Sequence, residues 1–425
     1  MMVAETIAPL LAAVIGDGSP VRIEFWDGSS LGPPPGDPES PGTLRVLTPD
    51  AVRRMLWSPN ELGLARAYVS GELEADGDVF ALLEALRGNA PRSLRYGLSA
   101  APLAANAARR LGLVGRPPKP PPEEARLHGW LHTRRRDADA VGHHYDVGND
   151  FYRLVLGPSM TYSCARFADP DFDLTEAQAS KHDLICRKLG LPEQPGARLL
   201  DVGCGWGSMV IHAAAHYDVT AVGITISRAQ ADLARKRAAE AGVGDRVEIR
   251  LQDYRELGAE RFDAISSIGM SEHVGAKNLV KYYTILHDAL RPQGRLLNHA
   301  ISSVGGSRMG RASFIGRYVF PDGELIDVAR SIEAMEQVGF EVRDVESLRE
   351  HYARTLRAWV ANLEEHWDEA VGLVGARRSR VWRLYMAGSA VGFTDGGINV
   401  HQVLGVVPTE DGDSGMPRTR INWEV

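Results

Sequence analysis

Between residues 197 and 217 the chain reads ARLLDVGCGWGSMVIHAAAHY: an apolar run, three glycines at alternate positions, then a helical stretch. A strand ending at Val202 and a helix beginning near Ser208 make Gly203, Gly205 and Gly207 a turn whose backbone can approach a ligand closely. The competing reading is a plain tight strand-to-helix connection. Its place at the first strand of an alternating set favours a nucleotide-type ligand. A dinucleotide would require a carboxylate about 20 residues further on, at the end of the second strand. That position reads Gly223-Ile224-Thr225-Ile226-Ser227, with none. The turn also lacks the Lys-Ser/Thr pair of a phosphate-binding loop. Asp253, ending the third strand, could accept a hydrogen bond from an adenine amino group or cap a helix.

The elements that must position these residues are legible from residue 140 onward. ARLLDVG, VTAVGIT, VEIRLQD, FDAISSIG and GRLLNHAIS are apolar runs of strand length, separated by helical stretches such as SRAQADLARKRAAEAG and LVKYYTILHDALRPQ. This alternation specifies an α/β fold with a mostly parallel, doubly wound sheet covered by helices on both faces. An insertion at 302–324 is placed to cover the site, helices are expected from Ser347 to about Phe393, and the tail PTEDGDSGMPRTR is expected to fray.

Before this lies a small α+β region. VRIEFW and LRVL predict a strand pair with a turn at Asp27-Gly28, followed by three helices, PDAVRRMLW, NELGLARAYVSG and DVFALLEALR. The proline run GRPPKPPPEE cannot continue a helix and marks a linker. The expected divisions are 1–114 (an amino-terminal, lipid-associated domain), 115–141 (a proline-rich, basic linker), 142–407 (the catalytic domain) and 408–425 (a polar tail).

Composition narrows the class. At 425 residues, 44% hydrophobic and 24% charged, the chain resembles ordinary globular proteins, not a membrane bundle or a disordered chain. A net charge of −7 offers no general attraction to nucleic acid. Three cysteines without a CxxC pair suggest neither a disulfide framework nor a metal site. Ile7–Ile15 is too short to span a bilayer and lacks preceding basic residues, so it reads as an ordinary helix in a cytoplasmic protein.

The motifs HHYDVGNDFY, MTYSCARF, DVGCGWG, ITISRAQ, SIGMSEHVGAKN, LLNHAIS and HYARTLRAW follow one another in this order. From about Gly142 to Val403 the chain resembles the cyclopropane-fatty-acyl-phospholipid synthases and their mycolic-acid cyclopropane synthase relatives, Rossmann-like methyltransferases that use S-adenosylmethionine. NELGLARAYVSGELEADGD is similar, more loosely, to the amino-terminal domain of the phospholipid-acting branch.

The resemblance implies an S-adenosylmethionine site lined by Tyr162, Ser163, Gly203, Gly205, Thr225, Gln230, Asp253 and Tyr254. It also implies bicarbonate among Cys164, Glu272, His299, Ile301 and Tyr352, with no metal. The implied reaction is methylation of the cis double bond of an unsaturated phospholipid acyl chain, giving a cyclopropane ring or, alternatively, a methylene-branched chain. A proton must leave the transferred methyl carbon, and a small oriented oxyanion supplies a base. A covalent role for Cys164 is not needed.

Taken singly, Cys164 could be a small buried hydrophobe, Glu272 and His273 a polar helix start, and His299 a hydrogen-bonded core residue. Phe314, Tyr318 and Trp359 are candidates to face a developing cation, against ordinary core packing. The basic positions Arg109, Arg110, Arg116, Lys119, Arg126, Arg134, Arg135 and Arg136 flank the prolines and could attract anionic headgroups at the inner face of the membrane, or be a solvated connector. A homodimer is compatible with such peripheral association. The readings from other classes are a non-catalytic lipid-binding protein and a nicotinamide enzyme.

Overall fold

The computed structural model describes residues 2–15, 18–88, 94–125, 147–305, 313–321 and 323–423. The chain forms two compact units: one comprises Met1–Arg126, Gly310–Val319 and Trp367–Val391, the other Leu127–Met309, Phe320–His366 and Gly392–Val425.

The first unit holds a four-stranded sheet of β1 (Arg22–Phe25), β2 (Ser30–Leu31), β3 (Gly42–Val46) and β4 (Leu73–Gly77), in the order β2-β1-β3-β4. The predicted strand pair is therefore incomplete. The turn at Asp27-Gly28 returns the chain to β2, antiparallel to β1, while LRVL runs parallel to β1 as β3. Two-residue β2 is too short to leave an alternating pattern in sequence.

The three expected helices are present at Pro49–Trp57, Glu61–Val69 and Val79–Gly88. Asn60 caps the second by accepting from the Leu62 and Gly63 amides. A further helix, Leu94–Arg110, was not anticipated, although its sequence carries Pro102. The proline run is not a free connector over its described part. Arg53 and Arg54 donate to the carbonyls of Arg116 and Lys119, each at 2.7 Å, and Glu124 is buried in an ion pair with Arg66 at 2.8 Å. Its early residues are thus tied down through the carbonyls of its two basic residues, Arg116 and Lys119.

The second unit contains β5 (Ala197–Val202), β6 (Val219–Thr225), β7 (Val247–Leu251), β8 (Phe262–Ile268), β9 (Leu290–Ser303), β10 (Ile326–Asp327), β11 (Glu341–Ser347) and β12 (Ile398–Val406). Its main path runs β11-β12-β9-β8-β5-β6-β7. β5 through β9 pair in parallel as expected, and β12 joins antiparallel to both β9 and β11. β5, β6, β8 and β9 alternate their side chains between two cores, whereas the edge strand β7 turns Val247 and Ile249 to one core and leaves Glu248 and Leu251 exposed. Leu199, Ala221 and Leu297 pack with Val210, Ala213 and Ala231 on one face; Leu200, Val222 and Leu296 pack with Tyr282, Leu286 and Met335 on the other. That burial on both faces is why β5, β6, β8 and β9 read as continuous apolar runs.

The expected helical region is filled by Arg349–Glu365, Trp367–Val374 and Ala376–Thr394. The tail does not fray throughout. Trp423 is buried, Arg420 pairs with buried Asp344 at 2.8 Å, and Gly415 accepts from Arg295. A buried carboxylate and a partly open core supply partners that the polar composition of the tail conceals. No helix among the described residues is long and apolar enough to cross a membrane.

Candidate active site

The sheet order reverses beside β5: β6 and β7 lie to one side, β8 and β9 to the other. A crevice opens at the carboxyl ends of strands where the order reverses. The glycine turn lies there. Gly203, Gly205 and Gly207 have φ values of 78°, 54° and 81°, a region that L side chains rarely adopt. The helix Ser208–His216 starts immediately after it. A Cβ on Gly203 would come within 2.3 Å of Met270 Sδ, whereas the space beside Gly205 is open.

The segment before the turn is tied to it. Trp206 Nε1 donates to Asn149 Oδ1 at 2.9 Å, and Ser208 Oγ to the Ser159 carbonyl at 2.7 Å. Arg237 reaches the Ser159 carbonyl as well, at 2.8 Å. These bonds hold residues 157–165 over the strand ends.

The resulting cavity, of about 300 Å³, is lined by all eight residues assigned from sequence to the methyl-donor site: Tyr162, Ser163, Gly203, Gly205, Thr225, Gln230, Asp253 and Tyr254. Its volume is at the lower end of the roughly 300–1,000 Å³ usual for small-molecule sites. Thr225 donates to Gln230 Oε1 at 2.8 Å, orienting the amide. Asp253 does cap a helix, accepting from the Arg255 amide at 2.9 Å, and its two oxygens also receive the Arg255 guanidinium. Asp253 is thus a cap that also lines the cavity.

The second group of candidates gathers where β9, β12 and the helix Arg349–Glu365 meet. Cys164 is fully buried, and its thiol lies 3.6 Å from the Leu348 carbonyl, which also accepts from the Tyr352 amide. The Leu348 amide donates to the Val400 carbonyl, and Val400 pairs with Ile301. The Ile301 amide donates to Glu272 Oε1 at 2.7 Å. His299 lies two residues before Ile301 on β9, so both side chains share a face of the strand.

Burial pushes the Cys164 thiol far above its usual range, which removes it as a nucleophile near neutrality. Burial, only partly offset by the Ile301 amide, raises Glu272 to about 7. Burial, with Lys181 and Lys188 adding to it, lowers His299 to about 3, so its imidazole is neutral. Gln402 lies 3.3 Å from His299 Nδ1. Glu272 Oε2 and His299 Nε2 are both buried without a hydrogen-bond partner among the described residues. Such orphaned atoms each carry a desolvation penalty on the order of 1–3 kcal/mol, which a small polar ligand would relieve.

One detail differs from expectation. The Ile301 amide, assigned to an anion, is already taken by Glu272, because the carboxylate on the short helix Ser271–Val274 that follows β8 reaches the adjacent strand β9. Tyr352 stacks at 4.6 Å on Phe393. Of the cation-facing candidates, Trp359 lies in this unit, in an aromatic run Trp206–Tyr152–Tyr162–Trp359–Tyr352 with centroids 4.6–6.1 Å apart. Phe314 and Tyr318 belong to the other compact unit, where they pack on each other and Tyr318 donates to Glu124. Arg126 and Arg134–Arg136 lie outside the described residues, as do residues 306–312 and 322 of the insertion.

Sequence reasoning passed over Lys181 and Asp201, both buried and both lining the cavity. A signal existed. Ala177, Lys181, Leu184, Ile185 and Lys188 follow helical spacing, so two lysines lie on the apolar stripe of the helix Leu174–Lys188.

A family described as mycolic acid cyclopropane synthetase matches residues 132–403. A probable fatty acid methyltransferase of Mycobacterium tuberculosis is 43% identical over 410 residues, covering 94% of this chain and 93% of its own. The cyclopropane-fatty-acyl-phospholipid synthase of Escherichia coli K12 is 34% identical over 365 residues, covering 86% and 88%. The mycolic acid cyclopropane synthase CmaA1, solved with SAH and CTAB, aligns with a TM-score of 0.59 at 35% identity, over 63% of this chain and 97% of that one. A match that spans most of the second unit, joined by a relative alike over nearly the whole chain, leads to one conclusion: this protein belongs to the mycolic acid cyclopropane synthetase family.

Proposed function

We propose that this protein transfers a methyl group from S-adenosylmethionine to the cis double bond of an unsaturated acyl chain in a membrane phospholipid, forming a cyclopropane ring. The observation that carries this reading is one unit that holds both a glycine-turn cavity and two buried, unpartnered polar atoms, Glu272 Oε2 and His299 Nε2. S-adenosylmethionine supplies an electrophilic methyl. Gly203 and Gly205 give room for its amino-acid end, and Thr225, Gln230, Asp253 and Tyr254 offer polar and aromatic contacts to its nucleoside.

Bicarbonate would be held by Glu272, His299 and Tyr352 beside Cys164 and Ile301, and would supply the base that removes the methyl proton. A neutral His299 with its proton on Nε2 is a donor. Glu272, raised to about 7, can carry a proton on Oε2 and donate to an anion that a fixed carboxylate would repel. The aromatic run through Tyr162 and Trp359 offers ring faces to a cation on the acyl chain. The enzyme would meet its substrate at the membrane surface, on the cytoplasmic side.

The methylene-branched product is the second reading. It stands beside the first because the relative that is 43% identical is named a fatty acid methyltransferase, a name that fits either product, while the one named a cyclopropane synthase is 34% identical. The test is incubation with S-adenosylmethionine and oleoyl-phospholipid vesicles, followed by mass spectrometry of the acyl chains. Both products gain one CH2. Nuclear magnetic resonance then distinguishes ring protons from an exocyclic alkene, and an unaltered acyl chain would remove both readings.

A further inference from the structure

Lys181 has no solvent exposure, lines the cavity, and donates from Nζ to Ser163 Oγ at 3.1 Å. Among the described residues it has no carboxylate within ion-pair distance. A buried ammonium without an ion-pair partner is costly, yet the fold places one at the wall of the cavity assigned to a cationic ligand. Six groups bear on it. Ser163 and Cys164 come from the segment before the glycine turn, Asp201 from β5, His182 from its own helix, His212 from the helix Ser208–His216, and His299 from β9.

The three imidazoles are neutral near pH 7, His182 far below its usual value, His212 at about 4 and His299 at about 3. The Cys164 thiol stays protonated. Only Asp201 can share charge with Lys181 in this range. It accepts from Ser266 at 2.7 Å, and burial lifts it to about 6. Burial lowers Lys181 to about 7, with the Asp201 carboxylate opposing it more weakly.

Resting on the donor-site reading above, we propose that Lys181 is a specificity-determining residue that changes charge in response to the ligand: it gives up its proton when the sulfonium donor occupies the cavity and keeps it when the uncharged thioether product does. The reason is electrostatic. The two ligands differ by one positive charge at sulfur, and a second cation in a buried wall favours the neutral amine. The balance is simple, with one proton leaving Nζ for solvent as the donor binds. Selectivity for donor over product should rise with pH by up to about tenfold per unit below the lysine's transition, then level off.

The experiment is calorimetric titration of the full chain with S-adenosylmethionine and, separately, S-adenosylhomocysteine, slightly below neutrality, in buffers of different ionisation enthalpy. The wild type should release a proton with the first ligand and none with the second. Lys181→Met should bind both with no difference in proton release. Lys181→Arg, which cannot discharge, should weaken donor binding at least about tenfold more than it weakens product binding, at every pH. Retained product binding by Lys181→Arg shows that the cavity is intact.

If donor-linked proton release persists in Lys181→Met, Asp201 carries the effect and the proposal is overturned. Equal proton release with both ligands in the wild type overturns it too. Failure of the wild type to bind either ligand would instead sink the donor-site reading on which it rests.

Discussion

Glu272 and His299 were each open to a bland reading in sequence, and the bland features are real: one begins a short helix and the other lies in an apolar strand. What separates them from ordinary core polar groups is the orphaned atom on each. Glu272→Gln and His299→Ala should each lower turnover by on the order of 100-fold while leaving donor affinity nearly unchanged. Their double mutant should lose little more than either alone, because both serve one bound anion. Additive losses in steady-state kinetics would separate the two roles. Glu272 also makes a stability prediction. Its folded value, about 7, lies above the usual 4.5, so the native state binds more protons than the unfolded chain between those values. Stability therefore falls as pH rises through that window. Glu272→Gln should be more stable than wild type above pH 7, by up to on the order of 3 kcal/mol, and no different below the lower value. Urea unfolding at the two extremes of pH is the check.

At the scale of elements, the glycine turn and the tail carry the predictions. Gly205 combines a φ of 54° with open space beside it. Gly205→Leu should therefore leave the sheet folded while filling the donor cavity, costing at least about tenfold in donor affinity by calorimetry. Unchanged affinity would remove the turn from the site. The carboxyl-terminal tail makes the opposite case: a segment that reads as polar nevertheless contributes Trp423 to the core of the second unit. Trp423→Ala should lower stability by about 3 kcal/mol. Thermal unfolding would show a tail that merely frays as no change at all.

For the whole molecule, the two units do not correspond to two continuous stretches of chain. Residues 367–391 return to the unit formed by the first 126, where Arg380 donates to Glu74 and to the Tyr68 carbonyl and Leu384 packs against the core. A protein lacking residues 1–125 should therefore expose the helix Ala376–Thr394 along an apolar face, giving poor soluble yield and a lower unfolding midpoint. An unchanged midpoint and a monodisperse product would show instead that the first unit is a detachable addition.

β5, β6, β8 and β9 were legible because parallel strands buried on both faces are written in apolar runs, β7 because an edge strand alternates, and the glycine turn because no other residue adopts those backbone angles as readily. The motif set from HHYDVGNDFY to HYARTLRAW likewise carried the family, without any three-dimensional information. β11 was not legible, because EVRDVES mixes exposed and half-buried positions at the sheet's edge; β12 was passed over although INVHQVLGV is largely buried between β11 and β9. Nor could sequence show that the Ile301 amide is taken by Glu272, that Phe314 and Tyr318 lie in the other unit, or that Lys181 is buried beside Ser163. Side-chain pattern along a strand or helix is local and survives in one dimension. Pairing between an amide on one strand and a carboxylate after another depends on register and burial, and these exist only once the chain has folded.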